Sequence, residues 1–257
     1  AGLGTYFDIY YADEAEEVVP FIKGFGQFGA LYHPPGRISE YSNMGYGLLD
    51  HMISQQSGTS YAQFMKEALF EPLGMTHSYV QGFTGRSADI VEAQKYSSTL
   101  EVLPEVENNT YGAGNIFASV RDLLRFGNAY LPQEGSGLLS PETIRTMWAN
   151  NDPDALFHYH QDSYYGLGWY VKPNDNGYRV AWHEGGMMGA STTLKIIPEE
   201  GIVIAVLINA SNRAVCNYVI DQLCNMALPD YQPTPLNEAT EIGGYQPSVV
   251  DTTYLGT

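Results

Sequence analysis

Positive charge is what this sequence has least of. Against 29 aspartates and glutamates stand 12 lysines and arginines, for a formal net charge of −17 at pH 7 over 257 residues. With no basic run to neutralise phosphates, nucleic acid and anionic membrane surfaces are excluded as partners, and the acidic excess reads as a solubility feature. Long apolar runs are missing too: nothing approaches the roughly 20 residues of a membrane span, so none is expected. No signal-peptide pattern and no initiating Met stand at the start, and Ala1 reads as a processed or trimmed beginning. Cysteine is scarce. Cys216 and Cys224 fall in one helix-patterned stretch, which separates their Cα atoms by about 12 Å at 1.5 Å per residue. A disulfide needs less than about 7 Å, so both are expected as free thiols in the core, silent about redox compartment.

Metal and cofactor signatures are also absent. H-E-x-x-H starting at His183 would need a second His where Met187 stands, and His158-x-His160 has no second ligand cluster nearby. Gly189-Ala190-Ser191-Thr192-Thr193 lacks the closing glycine of a nucleophile elbow, which excludes an α/β-hydrolase. No cofactor and no metal are expected, and no internal repeat is found. What is present is an ordinary globular composition, 44% hydrophobic and 13% aromatic, enough for one large domain or two small ones.

The organisation centres on Tyr178 to Asn209, which reads as three antiparallel strands. Ser191 to Pro198 and Ile202 to Asn209 are β-branched and apolar, and Pro198-Glu199-Glu200-Gly201 between them is a turn. Ser211 is expected to cap a helix from Asn212 to Leu228, stopped by Pro229. Upstream, a short helix is expected near Asp13 to Phe21. Another, after Pro34-Pro35-Gly36, carries Met44, Leu48, Leu49, Met52 and Ile53 on one face and ends at Gly58. Ser60 to Gln63 matches a capping box for a helix through Leu69, and Ser119 with Asp122 starts one over Val120 to Tyr130. Ser140-Pro141 starts the next, to Trp148. The division expected is residues 1–163 as a lobe of helix and loop, 164–229 as sheet with the terminal helix, and 230–257 as a Pro-rich tail. The fold class is α/β (α+β).

Two short patterns carry chemistry. Tyr41-x-Asn43 enters the helix after Pro35, and residues i and i+2 of an extended loop point the same way, so a phenol and an amide can face one cavity. Taken alone it better fits a surface or core Tyr beside a helix-capping Asn. His183-Glu184-Gly185-Gly186 places a polar side chain and then bare backbone on a strand, letting a ligand lie against the chain. Its plainer reading is a β-bulge beside a half-buried His.

Together, and in this order, these pieces resemble the serine β-lactamase and penicillin-binding-protein superfamily. The branch is that of class C β-lactamases, D-alanyl-D-alanine carboxypeptidases and esterases. PGRISEYSNMGYGLLDHMISQQSGTSYAQFMKEALFEPLGMTHS resembles its Y-x-N motif with the helix pair that follows. Tyr111-Gly112-Ala113-Gly114 with Ser119 and Asp122 is similar to its "AGG…S…D" segment, Tyr165-Gly166-Leu167-Gly168-Trp169 to its "YGLGW" strand, and HEGGMMGASTTLKIIPEEGIVIAVLIN to its third motif in the H-x-G form. The match runs from about Leu31 to about Leu228.

The resemblance implies a β-lactamase/transpeptidase-like fold and a serine hydrolase working through an acyl-enzyme on β-lactam, D-amino-acid peptide or ester substrates, with a periplasmic or extracellular home. By analogy Tyr41 shuttles a proton with a motif lysine, and Asn43 tethers that lysine and the substrate amide. His183 helps position the substrate, Gly185 keeps the strand clear, and the Gly186 N–H supplies half of an oxyanion hole. Tyr41 and His183 are accordingly expected to face a common pocket. One departure is plain: the residues three positions before the five lysines are Pro20, Gln63, Glu92, Trp169 and Thr192, so S-x-x-K is absent. The expectation is a chain that starts in mid-gene, lacks its nucleophile segment, and is inactive alone. Tyr254-Leu255-Gly256-Thr257 resembles the opening of a truncated accessory domain. The alternative is a non-catalytic relative that uses the cleft for ligand binding or assembly. The sheet is expected to be incomplete, the third-motif strand to lie at an edge, and residues 202–208 to pair with the missing segment or with a second copy.

Overall fold

The computed structural model of the chain describes residues 2–4, 9–11, 18–38, 40–131, 138–150 and 162–234. The lobe begins with β1 (Ile9–Tyr11), α1 (Phe21–Phe28), α2 (Asn43–Ser57) and α3 (Tyr61–Met65), which runs on into a π-helical turn at Lys66–Phe70. Then come β2 (Tyr79–Val80), β3 (Val106–Asn108), α4 (Tyr111–Gly114), β4 (Ile116–Phe117), α5 (Val120–Asn128) and α6 (Pro141–Met147). The sheet follows as β5 (Tyr164–Tyr165), β6 (Tyr170–Asp175), β7 (Tyr178–Met187), β8 (Ala190–Ile197) and β9 (Ile202–Ile208), closed by α7 (Arg213–Ala227).

The five strands from β5 to β9 form one antiparallel sheet in sequence order, because each joins the next by a short turn. Side-chain alternation splits it into two buried faces. Val180, Trp182, Ile204 and Val206 pack with Cys216, Ile220 and Cys224 of α7, while Ala181, Leu194 and Ile196 pack with Tyr130, Trp148 and Trp169 on the opposite face. The cysteines are free and buried, as their spacing requires. Helices on both faces and a helical lobe alongside match the α+β, β-lactamase-like class expected from the motifs.

Several elements differ from the sequence reading. The first helix described starts at Phe21, where the expected one ended, and residues 12–17 lie outside the described part. On α2, Met44 is fully buried but Leu49 and Met52 are about half exposed, so the apolar stripe is only partly core. The cap of α7 is Asn212, whose side chain accepts from the Val215 N–H, while Ser211 accepts from the Gly189 N–H at 2.8 Å. Of the "YGLGW" segment only Tyr165 belongs to a strand, and the rest is not strand. It is the turn between β5 and β6, closed by the Gly166 N–H to Trp169 carbonyl bond at 2.8 Å, with Gly168 at φ +82 where a side chain would be strained. The pairs β1–β3 and β2–β4 went unseen because strands of two or three residues carry no period.

The third-motif strand is not an edge strand throughout. β7 pairs with β6 from Tyr178 to Trp182 and with β8 from Ala181 to Met187. Only Ala181 and Trp182 are paired on both edges; among the described residues Tyr178 to Val180 lie against β6 alone and His183 to Met187 against β8 alone. At the far edge, β9 pairs only with β8 among the described residues, although Asn209 and Ser211 just beyond it bond to the Tyr96 backbone.

Buried carboxylates tie the lobe together. Asp122, wholly buried on α5, accepts from the His77 N–H at 2.7 Å, the Ser78 hydroxyl at 2.9 Å and the Arg125 guanidinium at 2.6 Å. It thus pins the chain entering β2 to the first turn of α5. Asp122→Ala strands a backbone N–H and a hydroxyl and is expected to cost about 3 kcal/mol of unfolding free energy, read from urea denaturation; an unchanged midpoint would show that the carboxylate anchors nothing.

Candidate active site

Ser42 begins the site. Its extended backbone (φ −144, ψ 102) sets the entrance to α2, its hydroxyl oxygen accepts from the Gly45 N–H, and the same hydroxyl donates to the Gly4 carbonyl at 2.7 Å. The helix cap is therefore Ser42 and not Asn43, which is the first helical residue. Tyr41, 41% exposed, sits just outside, and Tyr46 lies one turn into α2.

His183 comes from the opposite side, on the half of β7 that β6 leaves open. Its Nδ1 is 2.7 Å from the Glu184 carbonyl oxygen and its Nε2 is 3.0 Å from the Tyr165 hydroxyl. The Tyr165 hydroxyl is in turn 3.1 Å from that of Tyr46. Burial pushes His183 below the ordinary histidine range, with the Glu184 carbonyl opposing. Burial also raises the Tyr165 phenol, and the charges of Tyr46, Tyr170 and Tyr41 add to the effect. Tyr165 thus lies within hydrogen-bond distance of His183 and feels the charge of Tyr41. Sequence reasoning passed over Tyr46 and over any role for Tyr165, since nothing in spacing links positions 46, 165 and 183.

The two glycines differ in what they leave room for. A Cβ on Gly185 would lie 2.3 Å from the Thr192 hydroxyl oxygen on β8, so the space beside it is already filled by the neighbouring strand. A Cβ on Gly186 would meet the Arg213 guanidinium at 3.2 Å, on the α7 side. Arg213 is itself paired with Glu184 at 3.4 Å.

Pairing parity gives the backbone its direction. The turn joining β7 to β8 has two residues, so its flanking pair, Met187 and Ala190, is the hydrogen-bonded one. Alternation then aims the amides and carbonyls of Met187, Gly185 and His183 at β8, and those of Gly186 and Glu184 at the open side. The Glu184 carbonyl is taken by the His183 ring; the Gly186 N–H has no backbone partner among the described residues. Beyond it, Met187 meets the Asn108 amide at 3.9 Å, bringing β3 and α4 to the end of the same strand.

With the geometry in place, comparison with known proteins is decisive: the beta-lactamase family matches residues 1–223. The chain belongs to the beta-lactamase family. Within the family's wider circle, it is 28% identical over 256 residues to the mouse (Mus musculus) mitochondrial serine beta-lactamase-like protein LACTB, covering 91% of this chain and 45% of the relative. Penicillin-binding protein 4* of Bacillus subtilis is 28% identical over 216 residues, covering 76% of this chain and 46% of that one. The octameric penicillin-binding protein homologue from Pyrococcus abyssi superposes with a TM-score of 0.63 at 27% identity, over 82% of this chain and 49% of that structure. The chain spans less than half the length of each of these three. Among the described residues no helix is long and apolar enough to cross a membrane. His158 and His160 lie outside the described residues.

Two measurements probe how the site is supported. Gly185→Ala should be destabilising by about 1–3 kcal/mol, since an extra methyl enters occupied space. Thr192→Ala in the same chain should restore most of that loss, because the obstruction is one hydroxyl; simple additivity of the two changes would refute it.

The second concerns Asp50, one turn beyond Tyr46, whose carboxylate accepts from the Gly112 N–H at 2.6 Å and fastens α2 to α4. Burial pushes its carboxyl up to about 6, against the opposing pull of the Gly112 N–H and His51. A folded-state value above the unfolded one means that the folded chain binds the extra proton, so this contribution to stability is present at low pH and lost as pH rises through about 6. Asp50→Asn should therefore flatten the fall in melting temperature between about pH 4.5 and 7.5; an identical slope in the variant would contradict the assignment.

Proposed function

We propose that this chain is part of a serine hydrolase that acts through an acyl-enzyme on amide or ester bonds, with the nucleophile carried by a segment outside it. The substrates in view are β-lactams, D-amino-acid peptides and simple esters, as in the class C, carboxypeptidase and esterase branch. The observation that carries the reading is the Gly186 N–H on the open half of β7, the half whose His183 is linked through Tyr165 to Tyr46 of α2. An amide held on a strand and aimed at open space is a preorganised donor for a developing oxyanion, and it costs no reorganisation when charge appears.

In this reading Tyr41 moves a proton between a lysine from the absent segment and the leaving group. A phenol near its reference value of about 10 is a poor base until a cation lies beside it. Asn43 tethers that lysine and the substrate amide. Gly185 keeps the strand flat where the substrate lies. His183, with both ring nitrogens engaged inside the protein, acts by shaping the wall and does not donate to a substrate carboxylate. The open edge of β9 over residues 202–208 is where the absent segment, or a second copy, adds a strand; the octameric state of the Pyrococcus abyssi homologue supports self-association as one form of this. Resemblance to penicillin-binding proteins supports a periplasmic or extracellular home for the parent protein, while the similar LACTB proteins are mitochondrial.

A second reading is favoured by one observation: no lysine of the chain follows a serine at the S-x-x-K spacing. It is a non-catalytic relative that binds a ligand in the same cleft. Labelling with a penicillin and with a fluorophosphonate, followed by intact mass spectrometry, separates the two. The 257-residue chain should form no adduct, while a longer protein encoded with an upstream S-x-x-K should be labelled stoichiometrically at that serine. Labelling of any serine in the chain alone would refute the proposed division. A longer protein that stays unlabelled would establish the binding reading.

A further inference from the structure

We infer that Tyr165 is a positioning residue, which holds His183 as a neutral hydrogen-bond acceptor and gives the Tyr46–Tyr165–His183 chain a single direction. Valence forces the order. The Glu184 carbonyl can only accept, so His183 Nδ1, 2.7 Å away, carries the proton. In the neutral ring Nε2 is then a bare lone pair, and the Tyr165 hydroxyl at 3.0 Å must donate to it. With its one proton committed, Tyr165 can only accept from Tyr46 at 3.1 Å. Tyr46 therefore donates inward and presents lone pairs outward.

Three separate elements build this chain. α2 supplies Tyr46, the end of β5 supplies Tyr165, and β7 supplies His183. The Tyr165 ring is fixed edge-on against Tyr170 with centroids 4.8 Å apart, and against the His183 ring at 5.8 Å. The turn at Gly168 lets the sheet approach α2: a Cβ there would have the Tyr46 hydroxyl as its nearest neighbour, at 3.7 Å. The charged and titratable groups bearing on His183 are Glu184 on its own strand and Arg213 on α7, with Tyr165 and Tyr170 packed on the ring. No carboxylate is hydrogen-bonded to the ring, so nothing in direct contact holds a proton on Nε2.

Two consequences follow for the site. His183 has no ring nitrogen left for a ligand, and its orientation depends on a residue from another strand. The outward lone pairs of Tyr46 suit an N–H or O–H donor, as an amine or ammonium would provide. For catalysis this rests on the hydrolase reading above; the hydrogen-bond chain itself does not.

Nitrogen-15 NMR of the histidine-labelled 257-residue chain at neutral pH tests it. His183 should show the Nδ1–H tautomer. Tyr165→Phe should move the Nε2 resonance towards that of an unbonded acceptor while leaving Nδ1 in place, and Tyr46→Phe should move it less. An Nε2–H tautomer, or an Nε2 resonance identical in the chain and in Tyr165→Phe, would overturn the inference. Should Tyr165→Phe fail to fold, the tautomer of the unaltered chain and the Tyr46→Phe shift decide it. In a longer protein that carries the nucleophile, Tyr165→Phe should lower kcat about tenfold to a hundredfold with KM little changed. An unchanged kcat there would refute the positioning role, whereas a longer protein that forms no acyl-enzyme would defeat the hydrolase reading and leave the nitrogen spectrum to decide this one.

Discussion

Everything at the site depends on where β6 stops pairing. β7 is paired on both edges at Ala181 and Trp182 and with β8 alone from His183 to Met187. The change happens because the chain comes from β5 through the turn at Gly168 and enters β6 only at Tyr170, opposite Trp182, and so leaves the later half of β7 uncovered. A sheet edge normally invites another chain. Here that half is short, and it carries two glycines and one polar ring. The same turn that starts β6 also holds Tyr165 against that ring, so opening the strand and filling the hydrogen-bonding needs of His183 go together.

The lobe contributes position rather than sheet structure. α2 must present Tyr46 to the Tyr165–His183 pair although no strand joins lobe and sheet among the described residues. Its hold comes from the Asp50 carboxylate on the Gly112 amide and from close backbone approach, a Cβ on Gly112 being placed only 2.7 Å from the Tyr46 carbonyl oxygen. Burying a carboxylate to make that bond costs stability above its titration point. The lobe accepts the cost because an amide at the start of a helix needs an acceptor, and the carboxylate on α2 is the one that also fixes the crossing.

The sheet's last three strands, the hairpin turn and the terminal helix were legible in the sequence because each has a composition or a punctuating residue of its own: β-branched apolar runs in β8 and β9, Pro198 and Gly201, Pro229. Tyr41, Asn43, His183, Gly185 and Gly186 were legible only as motifs, through resemblance. The partners that give them geometry were not. Tyr165 and Tyr46 are two of 20 tyrosines, and only the register of β5 on β6 and the phase of α2 bring their hydroxyls together. Ser211 was misread as a cap because Ser and Asn are equally good at that task, and the choice fell to Asn212 once the Ser211 hydroxyl was committed to Gly189. The exposed Leu49 and Met52 show the limit of periodicity, which identifies a helix face but not whether the described chain covers it.

The central claim is that the backbone of Gly186 points away from the sheet into open space. Residue-resolved hydrogen exchange on the folded chain tests it directly, since parity assigns alternate amides of one strand to opposite sides. The account requires slow exchange at His183, Gly185 and Met187, with fast exchange at Glu184 and Gly186 between them. Protection of Gly186 equal to that of its two neighbours would mean that the strand is covered on both edges, and the proposed oxyanion site would not exist.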